Sequence, residues 1–440
     1  MSANTRLGPA PALDFNRFRS VPGLLVKGGG GVAVLGLLVS LFSGDIRHFG
    51  YAWLLAFMVT LSLTLGAMFL VLVHHLFDAG WSVPIRRFCE HIACLSAPVM
   101  AVLWVPIGIL AVKLYPWMGS ELQSHPDHGL HAKWPLFTIP GFYLVSIACF
   151  AAWYMVSRGL RKWSLKQDET GSAECTYAMR RWASIGIFVF AVSLTFGAIF
   201  WMKALSHVWF STMYGVYYFA GSVWVTLGTV YVITLWLEQQ GILRGKLHEN
   251  QYYFIGCLFF AFTVFYAYIA FSQYFIIWNA NVPEETFWYK LREQGTWYPI
   301  SIALIFGHFF LPFLSLLRID AKHYFPLMLF LYAWAWVMHF TDMSFNILPP
   351  FYNDGYPLRW IWLHLGCFAF MAGLLMKLFI KEFQKYAPYP VKDPRLMEAL
   401  GHRSPVASPI SGGELQETDD LGEQVGGAID PAHGFEGGAK

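Results

Sequence analysis

Three groups of titratable residues stand out in an otherwise apolar chain. The first is His74, His75 and Asp78. Positions i, i+3 and i+4 of a helix share one face, so the Asp78 carboxylate can reach either imidazole. Histidines and carboxylates exchange protons near neutral pH, which predicts a proton entry or exit site. The alternative is a capped interfacial loop in which these residues anchor helices.

The second group lies deeper in the apolar sequence. His308 falls midway along one apolar run, and His364 falls in the outer third of another. His339 and Asp342 form a further i, i+3 pair near the end of a third run. Together with His74, His75 and Asp78, the residues His308, His339 and Asp342 form a ladder of proton-path candidates. Hydrogen-bonded packing is the alternative for each buried histidine.

The third group belongs to connecting loops. His207 lies in one loop, and Glu284 and Glu285 lie in another, close to several tryptophans. With His364, they are candidates for an interface with a ligand or a partner. A solvated loop is the alternative, because exposed charges of this kind contribute little energy. Arg86 and Arg87 are interpreted as interfacial anchors that contact phospholipid.

No residue pattern predicts a catalytic group, a bound metal or a covalent cofactor. The six cysteines form neither a C-x-x-C nor a C-x-x-C-H motif, so c-type haem, iron–sulfur clusters and structural zinc are not expected. Haem b needs facing axial histidines, and no apolar run carries two well-spaced histidines at midmembrane depth. We therefore expect this protein to hold no redox centre of its own.

Composition identifies the class of protein. Hydrophobic residues make up 56% of the 440 residues and charged residues only 13%, and the mean hydropathy is +0.46. A soluble chain carries roughly 25% charged residues. The sequence therefore predicts an all-α polytopic membrane protein, whose helices contact the lipid bilayer. The net charge of +3 is too small to indicate nucleic-acid binding.

About ten stretches are long and apolar enough to cross a bilayer as helices. They cover residues 23–43, 51–77, 90–115, 135–157, 183–204, 211–238, 252–274, 297–317, 325–342 and 358–380. This divides the chain into a cytoplasmic segment 1–22, a ten-helix domain 23–385 and a tail 386–440. The tail is rich in Pro, Gly and acidic residues, which predicts disorder.

The distribution of basic residues predicts the orientation. Ten spans place both termini on one side, and that side carries 23 of the 30 Lys and Arg residues. Because basic loops remain in the cytoplasm, we expect both termini to be cytoplasmic. Glu284, Glu285 and Asp342 would then lie on the opposite side of the membrane.

A faint internal repeat predicts how the spans are grouped. Thr64-Leu65-Gly66 in span 2 matches Thr226-Leu227-Gly228 in span 6, at an offset of 162 residues. The same offset relates the starts of spans 3 and 4 to those of spans 7 and 8. Spans 2–5 and 6–9 are therefore expected to form two four-helix bundles, with spans 1 and 10 peripheral.

Four longer strings carry a family resemblance. They are HHLFDAGWSVP at 74–84 followed by Arg86-Arg87, HVWFSTMYGVY at 207–217, IIWNANVPEE at 276–285 and HFFLPF at 308–313. Across residues 20–385 the chain closely resembles the NrfD/PsrC-like membrane subunits of bacterial alternative complex III. The nearest type is the one labelled quinone-binding subunit 2.

The resemblance implies a subunit of a quinol:cytochrome c oxidoreductase in the bacterial inner membrane. Glu284, Glu285 and Asp342 would then lie toward the periplasm. The implied partners are a sister NrfD-like subunit (ActC), an iron–sulfur subunit, c-type cytochrome subunits and a terminal oxidase. The implied ligand is a quinol, menaquinol or ubiquinol. The resemblance then makes His207, Glu284, Glu285 and His364 candidates for a quinone-side or partner interface. ActC is the better candidate for productive quinol oxidation, so quinone binding, proton conduction and scaffolding stay open for this subunit.

A second class of function also stays open. An independent secondary transporter would use the same intramembrane His and Asp residues. Such transporters usually break equivalent helices of their two repeats at the substrate site. Pro98, Pro106 and Pro312 interrupt apolar runs without that symmetry.

Overall fold

The computed structural model describes residues 20–244, 246–247 and 249–399. Within these ranges the chain forms helices and no strand. The helices in chain order are α1 Ser20–Phe42, α2 Arg47–Leu76, α3 Val83–Ala93, α4 Pro98–Leu114, α5 Ser120–Ser124, α6 His128–His131, α7 Ile139–Thr170, α8 Ala173–Trp201, α9 Tyr214–Gln239, α10 Glu249–Ala280, α11 Pro283–Arg292, α12 Trp297–Leu304, α13 Leu311–Leu316, α14 Ile319–His323, α15 Phe325–Ile347, α16 Ile361–Phe383 and α17 Leu396–Ala399.

The all-α polytopic prediction is confirmed. In the described part of the chain, nine helical segments are long and apolar enough to cross a membrane, and α3 and α4 belong to one of them. The predicted span 325–342 is the 23-residue helix α15. It is not among the nine, and it carries the polar residues His339, Asp342 and Asn346.

Helices α2 and α9 form the centre of the membrane domain. In the most apolar 18-residue stretch of α2, 78% is buried inside the protein, whereas the corresponding share in α1 is 22%. The repeated Thr-Leu-Gly strings lie on these two helices, and Gly66 packs directly on α9. A Cβ at Gly66 would lie 2.6 Å from the Ser222 carbonyl oxygen and would also clash with Thr226. Only glycine permits so close an approach of two helices.

The remaining helices form two groups around this centre. Helices α3, α4 and α8 pack against α2, and α7 packs against α8. Helices α10 and α15 pack against α9, while α12 packs against α15 and α13 against α10. Helices α1 and α16 pair through glycines: a Cβ at Gly29 would lie 2.8 Å from the Gly366 carbonyl oxygen. This arrangement agrees with two bundles and two peripheral helices, and small residues explain the close α1–α16 pairing.

Two spans are interrupted. Residues 94–97 separate α3 from α4 just before Pro98, and a π-helical turn, Ile305–Phe310, joins α12 to α13 just before Pro312. Proline has no N–H to continue the helical ladder, which explains both positions. π-Helical turns re-aim side chains and often mark functional sites. This one carries His308.

The sequence predicted a disordered tail from residue 386, but in the structure the first part of this tail is ordered. Residues 386–399 lie folded against the membrane domain, and Tyr389, Asp393 and Arg395 are buried. Composition misses this because the charged side chains find partners on α2 and α3, far away in sequence. The rest of the predicted tail, residues 400–440, lies outside the described residues. So do residues 1–19 of the predicted N-terminal segment 1–22.

Candidate functional site

Asp342 is the centre of a buried polar cluster between α9, α10 and α15. Its Oδ1 accepts hydrogen bonds from the hydroxyls of Tyr217 and Tyr266, the latter at 2.8 Å. Tyr217 and Tyr266 also lie 2.8 Å apart through their oxygens. Among the described residues, Oδ2 of Asp342 has no hydrogen-bond partner. One carboxylate oxygen is therefore held in place and the other is available to a proton.

Asn346 continues this cluster toward one end of the helix bundle. Its Nδ2 donates to the Asp342 carbonyl oxygen at 2.8 Å, and its Oδ1 accepts from Tyr214 at 3.1 Å. Its carbonyl oxygen accepts from the Arg292 guanidinium at 3.1 Å. Arg292 forms no ion pair with Asp342 in the described structure, so the Asp342 carboxylate is buried without a neutralising cation.

His339 connects Asp342 to the other bundle. Its Nε2 lies 2.9 Å from Oγ of Ser62 on α2. Ser62 donates its own proton to the Met58 carbonyl oxygen at 2.9 Å, so it can only accept from His339. Nδ1 of His339 is then the free acceptor, and it has no partner in the described structure. Gly221 provides the space beside this ring.

His308 packs against the same cluster by stacking. Its ring lies between Trp224 and Tyr266, with centroid distances of 4.0 and 3.7 Å. Neither ring nitrogen has a hydrogen-bond partner in the described part of the chain. We call Asp342, Tyr217, Tyr266, Asn346, His339 and His308 the Asp342 site. The structure thus brings together three predicted candidates: His308, His339 and Asp342.

The other predicted group lies at the end of the bundle where α2 and α16 end, here called the C-terminal face. Nε2 of His74 lies 3.3 Å from both the Arg86 and the Arg395 guanidinium, while Nδ1 lies 2.7 Å from Ser82 Oγ. Guanidiniums only donate, so Nε2 accepts and Nδ1 carries the proton. This fixed role favours the anchoring interpretation for His74. The His75 ring packs edge-on against His74 at 4.8 Å.

Arg86 and Arg87 do not contact lipid as predicted, because both are buried among carboxylates. Arg86 pairs with Glu90 at 3.0 Å and with Asp393 at 2.5 Å, and Arg87 pairs with Glu90 and Asp168. Burying a guanidinium is costly unless a carboxylate neutralises it. The cluster, which we call the C-terminal-face ion network, consists of Asp78, Arg86, Arg87, Glu90, Asp168, Arg180, Asp393 and Arg395.

Charges within this network balance, since it holds four arginines and four carboxylates. Asp78 pairs with Arg180 of α8 and with Arg395 of the C-terminal segment. Burial raises the pKa of Asp393, but Arg86 and Arg395 more than offset this and hold it below its ordinary value. The network therefore clamps residues 386–399 onto the helices.

The predicted ladder is not continuous in the described hydrogen bonds. Ser62, which contacts His339, is twelve residues from His74 on α2, or about 18 Å at 1.5 Å per residue. Most side chains of α2 between them are apolar, and the hydroxyl of Thr64 bonds back to its own helix. The Asp342 site and the C-terminal-face ion network are therefore two separate clusters.

The loop candidates and His364 lie apart from both clusters. Nε2 of His207 lies 2.8 Å from Asp127 Oδ2. Glu284 is exposed and Glu285 is half-buried in the first turn of α11, where the helix dipole favours acidic residues. His364 is buried in α16, near the rings of Tyr352 and Tyr356. The structure does not bring these four residues together.

Sequence reasoning missed several residues of these clusters. Tyr217, Tyr266 and Asn346 hold Asp342, and Asp393 and Arg395 complete the ion network. Asn346 carried a usable signal, because it is i+4 from Asp342. The two tyrosines carried none, since tyrosine is abundant here and only the helix rotations select these two.

An apolar cavity of about 520 Å³ opens between α2, α9, α15 and α16. Its lining includes Thr60, Thr64, Trp236, Trp336 and Phe368. The hydroxyls of Thr60 and Thr64 bond to carbonyl oxygens of α2. The cavity therefore suits a hydrocarbon chain. Trp336 is one helical turn from His339, which places one wall of the cavity near the Asp342 site.

The chain matches no protein-family model and no curated protein.

Proposed function

We propose that this protein is the ActF-type, NrfD-like subunit of an alternative complex III and that it transfers protons within the membrane. The observation that carries the proposal is the buried Asp342 carboxylate, which has no neutralising cation and one free oxygen. Such a group is costly in a bilayer and is expected where protons move. The family assignment rests on the four strings at 74–87, 207–217, 276–285 and 308–313.

The chemistry proposed for the Asp342 site is reversible protonation. Tyr217 and Tyr266 donate to Oδ1, which stabilises the carboxylate form. A proton arriving on Oδ2 neutralises the group, and burial favours that neutral form. The free Nδ1 of His339 is a neighbouring acceptor, because His339 and Asp342 are i and i+3 on α15. Protonation of Asp342 would therefore store a proton at this site.

Quinol oxidation is the source of the protons in this proposal. A quinol loses two electrons and two protons when it becomes a quinone. The electrons would pass to the iron–sulfur and c-type cytochrome partners and on to a terminal oxidase, since this chain shows no cofactor motif. The 520 Å³ cavity supports a quinone-binding contribution, because it can hold part of an isoprenoid chain of menaquinol or ubiquinol.

The proposed location is the bacterial inner membrane, with both termini in the cytoplasm. The basic residues of the C-terminal face support this orientation. Asp342 is near the C-terminal end of α15, far from the C-terminal face, and would lie in the periplasmic half of the membrane. Scaffolding would be the role of the C-terminal-face ion network, which fixes α2, α3, α7 and α8 to the C-terminal segment.

Independent secondary transport is less well supported. The two interrupted spans are α3–α4 and α12–α13. The 162-residue offset relates α3–α4 to α10, which is continuous. The breaks are therefore not in equivalent positions of the two bundles, as they usually are in transporters built from repeats.

The test is Asp342→Asn in the assembled complex, reconstituted in vesicles. We expect assembly to be retained and the rates of quinol oxidation and of proton release to fall together by about tenfold or more, because Asn cannot accept a proton. Asp320→Asn is the matched control, since Asp320 is an exposed carboxylate near the opposite end of the bundle. Wild-type quinol oxidation and proton release in an assembled Asp342→Asn complex would contradict the proposal.

A further inference from the structure

Two lysines from different loops meet at the face opposite the C-terminal face. Lys133 follows α6, and Lys203 begins the short turn after α8. Lys203 is only 6% exposed and Lys133 is half-buried. Both ammonium groups lie over the Phe210 ring, at 4.1 and 5.1 Å from its centroid. The two amine groups are therefore held next to each other at one site.

The protein does not neutralise this pair. In the described structure, no carboxylate forms an ion pair with either lysine. Asp127, an acidic neighbour, instead bonds to His207 at 2.8 Å and accepts from the Leu130 N–H at 2.7 Å. Lys133 donates to the His207 carbonyl oxygen, which carries no formal charge. Burial and the nearby Lys133 lower the pKa of Lys203 to about 7. An anion seated here would remove the repulsion.

The surroundings of the pair are apolar and exposed. The Trp134 side chain is 73% exposed, and Leu136, Val208 and Phe210 are also exposed. These residues lie next to the start of α7 and the end of α8, which is the level of the membrane–water interface in a membrane-spanning bundle. Tryptophan and other aromatics gather at that level. A soluble anion would gain nothing from such a surface, whereas a lipid would use it.

We propose that Lys133 and Lys203 bind the phosphate of an anionic phospholipid whose acyl chain lies against Trp134 and Phe210. The phosphate bridges the two ammonium groups, and the net positive charge of the pair selects phosphatidylglycerol over zwitterionic lipids. The lipid would cover the exposed apolar side chains that flank the lysines. This site is distinct from the Asp342 site and independent of the function proposed above.

The test measures short-chain phosphatidylglycerol binding to the full chain, purified and delipidated in detergent, by native mass spectrometry. Each lysine near an anionic headgroup contributes about fivefold to affinity. We therefore expect Lys133→Met combined with Lys203→Met to weaken binding by roughly 25-fold. Lys290→Met is the matched control, because Lys290 is an exposed lysine of α11 on the same face. It should leave binding unchanged.

Trp134→Ala separates a lipid site from a site for free phosphate. It keeps both charges, so it should weaken phosphatidylglycerol binding severalfold without changing the weak binding of inorganic phosphate. Unchanged phosphatidylglycerol binding in the folded double variant would overturn the proposal. So would inorganic phosphate that binds as tightly as the lipid and is insensitive to Trp134→Ala. Thermal unfolding of each variant checks that it is folded.

Discussion

His339 Nε2 and Ser62 Oγ lie 2.9 Å apart, and both residues are fully buried. This hydrogen bond joins α15 of one bundle to α2 of the other, one helical turn from Asp342. It orients the imidazole so that its free nitrogen is Nδ1. The relative placement of the two bundles therefore sets the protonation geometry of the Asp342 site.

Ser62→Ala should weaken this connection without unfolding the protein. Removing one buried hydrogen-bond partner costs about 1–3 kcal/mol, which thermal unfolding in detergent would detect. If His339 takes part in proton transfer, the variant should also release protons more slowly in vesicles. Ser40→Ala is the control, since the Ser40 hydroxyl is buried without a hydrogen-bond partner. Equal effects of both substitutions would remove any special role for the Ser62–His339 pair.

Asp393→Asn should release the C-terminal segment. It breaks the ion pair with Arg86, in which both side chains are fully buried. Loss of a buried ion pair costs roughly 3–5 kcal/mol. Proteolysis after residue 385 should become markedly faster. Glu382→Gln removes the exposed pair with Lys385 and a long pair with Arg161 at 4.0 Å. It should change cleavage little, because exposed pairs contribute at most about 1 kcal/mol. If both variants resist proteolysis equally well, the ion network does not hold the C-terminal segment in place.

The clamp should also weaken in acid. The pKa of Asp393 is lowered in the folded state, so its stabilisation is complete above the ordinary carboxylate range near pH 4. It is lost as pH falls through the lower folded value. The protection of the amides of residues 389–396, measured relative to their intrinsic exchange rates at each pH, should therefore fall below pH 4 in the wild type. In Asp393→Asn the exchange should already be fast at pH 7, and its acid dependence should be weaker.

Gly66→Val should separate α2 from α9. The new side chain would meet the Ser222 carbonyl oxygen, which cannot move without shifting the helix. Overpacking of this kind costs about 1–3 kcal/mol or more. Gly31→Val is the matched control, because Gly31 is a helical glycine of α1 with open space around it. A Gly66→Val protein as stable as the Gly31→Val protein would show that the two helices are not closely packed there.

Single cysteines at positions 284 and 169 should report opposite sides of the membrane. Glu284 and Glu169 are exposed residues at opposite ends of the bundle. Five of the six native cysteines are buried and Cys257 is partly buried, so the background labelling should be low. An impermeant thiol reagent should label position 284 from the periplasm and position 169 only after permeabilisation. The reverse pattern would invert the proposed orientation.

The helices themselves were predictable because membrane insertion is a local property. Roughly 20 consecutive apolar residues are enough to define a span, whatever the rest of the chain does. Predicted span 51–77 corresponds to α2 Arg47–Leu76, and the predicted peripheral spans are α1 and α16. The placement of His339 and Asp342 on one face of α15 was equally visible, since i and i+3 positions share a helix face.

Contacts between helices were not predictable, because they depend on how each helix is rotated about its axis. Nothing local indicates that Tyr217 of α9 and Tyr266 of α10 both point at Asp342. Nor does composition show that Asp393, in a segment that resembles a disordered tail, pairs with Arg86 about 300 residues earlier. The sequence by itself determined the spans, their grouping and the polar residues within them. Only the tertiary structure decided which of those residues meet, because a buried charge selects its partner by distance in space rather than by distance along the chain.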